Sequence, residues 1–491
     1  MNFDVFLRGL DTRVLILMAV LGLCLVVVGT FLLVRARKSG SPARGPVVRS
    51  WCLLGLGVCL AGFAGLVVWL FQTDYDNPER LERLKATPVE ALGRPDALAG
   101  AWPQWRGPRR DGVSDEVGLR TDWAKAPPAV WKQPIGGGYS SIAVADGRLY
   151  TMDKQGDDER VVCLDAGTGK ELWAHRYRVD YSAFRLGHVT GPRATPTVAG
   201  GKVFTVGATG VFLCLEAAPR DGRAHVLWQH NLMEKFDATP PGWGVACSPL
   251  VEGNLVYVQP GGTKGSVVAF DTRTGDVAWT ALSDVSGYSS PMAATVAGVR
   301  QILCFTGKGL AGLQPADGKQ LWYFPWATQH DANIATPVIA GNYVFISSGY
   351  NAGCALLEVY ADGHSVSAEP VYVKRNKLMR NHHSSCVLYR GYLYGFDDNI
   401  FKCVDIRTGE EKWASRQPGK GAVLAADGSL LVLTEQGSLA LVEASPEGFH
   451  EKGQVRDVLG GSDCWALPAL AERRLYLRDQ QHVLCLDLNK H

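Results

Sequence analysis

The sequence of 491 residues has no marked excess of charge of either sign: Lys and Arg number 50, Asp and Glu 48. Residues 1–73 hold seven basic and two acidic residues, which leaves 43 basic and 46 acidic ones for the remainder. That remainder has no basic block. Nucleic-acid binders need clustered cations to neutralise phosphates, so this class is excluded. Charged residues are sparse at 20% and hydrophobic ones make up 46%, which excludes disorder as the dominant state. No Cys-x-x-Cys-His occurs, so attachment of a c-type haem is excluded. The 12 cysteines show no paired spacing. Cys24, Cys52 and Cys59 lie in apolar runs, and the other nine are an odd number, so no disulfide framework is expected. Glycine (56) and tryptophan (14) are abundant, a combination of tight turns and aromatic anchors that suits repeated β units.

Two long apolar runs stand at the start. Residues 14–34 and 50–71 carry no charge, and each reaches the roughly 20 residues that span a bilayer as a helix. Between them lie Arg35, Arg37, Lys38, Arg44 and Arg49, against Arg8 and Arg13 in the N-terminal tail. Short loops rich in Lys and Arg stay cytoplasmic, so everything after Phe71 is expected outside the inner membrane, in the periplasm. Gly55, Gly57, Gly62 and Gly65 would let the second helix approach another closely. Residues 74–100 read as a polar linker, with a short helix starting at Thr87-Pro88-Val89-Glu90, a capping box with proline at the first helical position.

From residue 101 onward the chain repeats. Val161-Val-Cys-Leu-Asp-Ala-Gly-Thr-Gly-Lys-Glu-Leu-Trp173 returns as Val267 to Trp279 and as Phe401 to Trp413, with looser copies between and after them. Positions 165, 216, 271, 315, 360, 405, 443 and 487 are equivalent, so the unit recurs about every 46 residues. A period of roughly 40–50 with alternating strands and glycine turns means a propeller of four-stranded blades. The fold class is therefore all-β, an eight-bladed propeller over 101–491 preceded by a transmembrane helical hairpin. The last copy stops at its third strand, and Ala129-Val-Trp-Lys-Gln133 is an outer-strand sequence with no third strand before it. Joining the two closes the ring and removes the exposed edges of an open sheet. Cys163, Cys214, Cys403 and Cys485 share the third-strand slot, where burial between blades accounts for them. Thr168-Gly-Lys lacks the spacing of a phosphate loop and reads as a hairpin turn.

The Asp-x-x-Thr-Gly-x-x-x-Trp repeat resembles the PQQ-like β-propeller repeat family, which includes the outer-membrane assembly lipoprotein BamB and the propellers of quinoprotein alcohol dehydrogenases. The resemblance covers about residues 102–491. Trp102-Pro-Gln-Trp-Arg-Gly-Pro-x-x-Asp-Gly-Val-Ser114 is similar to the opening of a bacterial subgroup often named PQQ-binding-like, and Phe305-Thr-Gly-Lys-Gly309 and Asn381-His-His-Ser-Ser385 add weaker likeness. The resemblance implies that loops from successive blades collect on the face where quinoproteins hold their cofactor. Tyr139, His188, Arg193, Trp243, Tyr288, His330, Asp331, Asn333, His382, His383, Lys420 and Trp465 would come from one loop set, and Lys308 and Asp398 from the other. Together they make a polar, aromatic funnel in which Arg193, Lys308 and Lys420 could meet an anion.

The vicinal Cys-Cys of the alcohol dehydrogenases is absent, and no Glu/Asn/Asp set for calcium stands out. Adjacent histidines on a strand project to opposite faces, so His382 and His383 do not make a metal site. One would line the channel and the other would pack inward. No catalytic residue, metal or cofactor is expected. The leading reading is a membrane-anchored, periplasmic, non-catalytic propeller that binds a protein partner as a scaffold, as part of a membrane complex. The alternative is a PQQ-dependent dehydrogenase using PQQ and calcium. Both need the propeller outside the inner membrane. Alkaline phosphatase fused after His491 is expected to be active and fused within residues 39–46 inactive; the reverse pattern places the propeller in the cytoplasm.

Overall fold

A computed structural model of the chain describes residues 74–92 and 100–490, apart from 122, 124, 183, 185–188, 220, 364 and 462. The chain divides into two compact units at Tyr75/Asp76. The apolar runs 14–34 and 50–71 lie outside the described residues, and so does His188. Among the described residues no helix is long and apolar enough to cross a membrane.

The second unit is an eight-bladed propeller. Blade 1 is Ala143–Ala145, Arg148–Gln155, Asp158–Asp165 and Glu171–Arg178, from the axis outward. Blades 2 to 7 span residues 197–231, 250–281, 292–325, 338–375, 387–415 and 421–455. Blade 8 joins Ala469–Ala471, Arg474–Arg478 and His482–Asp487 to Ala129–Pro134, which supplies the outer strand from the other end of the propeller sequence. Each blade is covered on both faces by its neighbours, so the middle strands are apolar throughout rather than alternating: Val161, Val162, Cys163 and Leu164 are all buried. Cys214, Cys403 and Cys485 are buried in the same slot.

The repeat residues hold neighbouring blades together. Asp165 Oδ1 accepts from the backbone N–H and the hydroxyl of Thr168, both at 2.8 Å, and so fixes the turn. The glycine that follows receives a tryptophan from the preceding blade. A Cβ on Gly169, Gly275 or Gly318 would sit 2.7, 2.8 or 2.4 Å from Trp131, Trp228 or Trp279 respectively. Each of these glycines also has φ near +75°, where a side chain is strained. The indole N–H of Trp131 donates to Ala166 O and that of Trp279 to Pro315 O, both at 3.0 Å.

Near the axis, hydroxyls that precede the inner strands make a second ring. Ser141 N–H donates to Thr195 Oγ1, Thr195 N–H to Ser248 Oγ, Ser248 N–H to Ser290 Oγ and Thr336 N–H to Ser385 Oγ, at 2.9–3.2 Å. Leu467 N–H donates to Ser141 Oγ at 2.7 Å and so links blade 8 to blade 1.

The axis is plugged by residues 102–119. Trp102 bridges to Val144, Val113 to Ala425 and Leu119 to Asn489. Arg106 donates to Cys386 O at 2.7 Å, and Arg110 to Pro249 O at 2.7 Å and Ser248 O at 2.9 Å. Both guanidiniums are fully buried, and burial pulls Arg106 down to about 10 and Arg110 to about 9. The segment 102–119 thus ties blades 1, 3, 6, 7 and 8 to one another.

The segment 76–92 differs from a free linker. Asn77 caps helix α1, Pro78–Ala86, with proline in its first turn, and a 3₁₀ turn follows at Val89–Leu92. Leu84 and Leu92 are buried in the core of blades 5 and 6. Arg80 bridges Glu358 and Glu369, each at 2.5 Å, and Lys374 holds Asp76 at 2.7 Å. The helix expected at Thr87-Pro88 is only the 3₁₀ turn. The longer helix starts at Pro78, where Asn77-Pro78 supplies a cap and a first-turn proline of its own.

Gly318 and Gly428 both have φ of +73°, but only Gly318 has an indole within reach of its Cβ. Gly428→Ala carries the left-handed backbone cost alone, about 1–2 kcal/mol. Gly318→Ala is expected to lose about 1–3 kcal/mol more through overpacking. Urea unfolding of both variants reads the difference; equal losses would show that the indole contact adds nothing.

Candidate functional site

Loops from outer strands to the next inner strands gather on one face of the ring and surround a blind cavity of about 190 Å³. Of the residues expected there, Tyr139, Arg193, Trp243, Tyr288, His383 and Trp465 line it. Trp105 of the plug also lines it, held by its indole N–H on Thr336 Oγ1 at 2.8 Å. Because the plug occupies the axis, the funnel ends at that indole and does not continue as a channel.

The wall is a continuous circuit. Tyr139 and Trp465 stack with ring centroids 4.7 Å apart, and the Arg193 guanidinium lies 4.5 Å over Tyr139. Arg193 Nε donates to Trp243 O at 2.9 Å, and Trp243 stacks on Tyr350 at 6.0 Å. Tyr350 meets His382 edge-on at 4.8 Å, His382 stacks on His383 at 3.9 Å, and His383 returns to Trp465 at 4.1 Å. His330 packs against both Trp243 and Tyr350, and Tyr288 against Trp243.

The two histidines do not follow the strand rule that would separate them. Residues 381–386 run in a loop, so their rings face the same way and stack. His383 lines the cavity while His382 Nε2 is buried without a partner among the described residues.

The charged groups divide into two kinds. The carboxylates are paired with lysines: Asp331 with Lys308 at 2.8 Å, and Asp398 and Glu435 with Lys420 at 3.5 and 3.8 Å, while Glu435 also bonds the His383 imidazole at 3.0 Å. Lys420 Nζ also donates to His382 Nδ1 at 3.0 Å. Burial alone would raise Glu435, but the hydrogen bond from His383 and the charge of Lys420 hold its carboxyl below the ordinary value. Arg193 is the other kind. Its electrostatic neighbours are Tyr139, Tyr288, Tyr181 and Tyr350, no carboxylate pairs with it among the described residues, and burial lowers its pKa.

Asn333 is placed differently from the expectation. It is fully buried, its amide nitrogen donates to Thr306 O at 2.7 Å and Trp326 O at 2.9 Å, and its oxygen accepts from Ser348 at 2.9 Å. Its work is to hold the loop that carries His330 and Asp331. Among the described residues no group of three His, Cys, Asp or Glu is placed to hold a metal. Sequence reasoning missed Tyr350, Glu435 and Trp105. Tyr350 and Glu435 lie between second and third strands, as Lys308 and Asp398 do, and that shared position is the signal that could have found them.

Burial, with the positive charges of His383 and Lys420, pulls His382 from its ordinary 6.5 down to about 4. The unfolded chain therefore binds this proton first, and stability is lost as pH falls from 6.5 toward 4, with no contribution above 6.5. Imidazole NMR is expected to show His382 neutral at pH 5, and His382→Asn is expected to lose less stability than the wild type between pH 7 and 5. A protonated His382 at pH 5 would contradict this placement.

A comparison with curated protein sequences finds no match. Among solved structures, BamB from Moraxella catarrhalis is 13% identical, with a TM-score of 0.53 over 74% of this chain and 100% of that one. Quinohemoprotein alcohol dehydrogenase from Comamonas testosteroni is 12% identical, with a TM-score of 0.59 over 84% of each chain. At such identities the likeness is one of fold. The repeats match the family described as outer membrane protein assembly factor BamB over residues 120–224 and 157–415, more than half of the sequence, and the chain belongs to that family.

Proposed function

We propose that this protein is a non-catalytic binding subunit that presents its propeller to a protein partner, anchored in the bacterial inner membrane by the apolar runs 14–34 and 50–71 with the propeller in the periplasm. The observation that carries the reading is the funnel itself. Aromatic rings and the Arg193 guanidinium, which no carboxylate pairs among the described residues, enclose a small blind cavity, while Asp331 and Asp398 are tied to lysines. Such a site can hold a ligand by stacking and by charge. The family's description as an assembly factor supports a role in holding partners together.

The second reading is a PQQ-dependent dehydrogenase, favoured by Arg193 between aromatic walls, which suits a planar anion. Its calcium requirement does not fit the donor set. Ca²⁺ needs about six to eight converging oxygens. Here Asp331, Asp398 and Glu435 face lysines and a histidine, and the Asn333 amide is spent on backbone.

Affinity purification of the full chain from gently solubilised membranes is expected to recover a stoichiometric protein partner; repeated recovery of the chain alone would overturn the scaffold reading. Titration with PQQ and Ca²⁺ is expected to give neither a bound-quinone absorbance nor alcohol-dependent dye reduction. Either signal would make the dehydrogenase the better reading.

A further inference from the structure

The funnel's shape limits what can enter it. A polypeptide cannot pass through, because Trp105 closes the inner end. A loop tip brings two chain segments side by side, and about 190 Å³ is below the roughly 300–1,000 Å³ of a drug-sized site. The cavity therefore has room for one chain end with its last side chain. Its charge selects which end. Arg193 is the cation of the wall that no carboxylate neutralises among the described residues, and an ammonium terminus would be repelled by it. The planar donor edge of the half-buried Arg193 guanidinium matches a carboxylate. The remaining surface is mostly aromatic, which favours a flat apolar side chain beside that carboxylate.

We infer that the funnel captures the C-terminal carboxylate of a partner polypeptide whose last residue is aromatic, with Arg193 on the carboxylate and Trp243, Tyr350 and Trp465 around the ring. This rests on the scaffold reading above and gives that partner a chemical mark.

The test uses the full-length protein in detergent and tryptophan fluorescence or calorimetry. The probes are N-acetyl-Ala-Ala-Phe as the free acid, the same peptide as its C-terminal amide, N-acetyl-Ala-Ala-Ala as the free acid, and quinoline-2-carboxylate. The free-acid phenylalanine peptide is expected to bind saturably, and the amide and the alanine peptide each at least tenfold more weakly. Arg193→Gln, which keeps an amide donor for Trp243 O, is expected to abolish the preference for acid over amide. Tyr350→Ala, which leaves Arg193 in place, is expected to keep that preference and reduce the preference for phenylalanine over alanine. Equal binding of acid and amide overturns the inference, and so does binding that is indifferent to Arg193→Gln. Tight binding of quinoline-2-carboxylate with none of the peptides would make this a small-molecule pocket and also overturn it. Affinity purification separates the two levels. A partner recovered equally by wild type and Arg193→Gln defeats the inference and leaves the scaffold reading standing, whereas peptide binding without any recoverable partner defeats the scaffold reading alone.

Discussion

One antiparallel pairing closes the ring: Ala129–Pro134 against His482–Asp487, with Trp131 beside Cys485. Blades are held to their neighbours by short-range contacts that recur along the chain, so seven of them could stack in sequence without help. The eighth exists only when strands about 350 residues apart meet. Until then, the first and last sheets each expose a full face, and the loops that build the funnel have no common centre. The hydroxyl ring near the axis needs the same event, since Leu467 N–H reaches Ser141 only after blade 8 lies against blade 1.

The plug makes this closure functional. An eight-bladed ring leaves an axial channel, and a channel lined by loops would hold water. Residues 102–119 fill it with two buried arginines, whose donors meet the main-chain carbonyls at the starts of the inner strands of blades 3 and 6. Carbonyl partners suit this place. They take the guanidinium's terminal N–H groups without bringing in a second charge that would itself need desolvating. Trp105 then stands on a rigid base, and the aromatic wall above it surrounds a space of fixed depth. The contrast with the rim is one of solvent: Lys308 and Asp331 pair while half-exposed, where such a pair contributes little.

Much of this was legible in the sequence because it repeats. The Asp-x-x-Thr-Gly turn and its tryptophan recur at a fixed spacing, and each copy encodes a local contact with the adjacent copy. Even the closing strand could be read, since Ala129-Val-Trp131 is an outer strand that lacks its own blade. The residues that escaped are those whose meaning is not periodic. Trp105 and the two plug arginines occur once and find their partners 140 to 280 residues away. Asn333 sits among funnel residues in sequence, but its amide matches two nearby carbonyls better than open solvent. His382 and His383 would diverge on a strand; they stack because a loop frees the backbone from the alternation that the rule assumes. Helix α1 has a clear Asn-Pro start, yet its polar composition hides that Leu84 docks it in the core of blades 5 and 6 while Arg80 fastens it to two glutamates.

The plug also sets a temporal order. Residues 102–119 leave the ribosome before any blade, yet Val113 pairs with Ala425 and Leu119 with Asn489. The first part of the propeller to be made is thus among the last to find its place. A chain cut short at blade 6 would lack Trp465, and with it the stack on Tyr139 and the contact with His383 that complete the wall. Completion of the cavity wall therefore coincides with completion of blade 8, because Trp465 stands in the loop that leads into that blade.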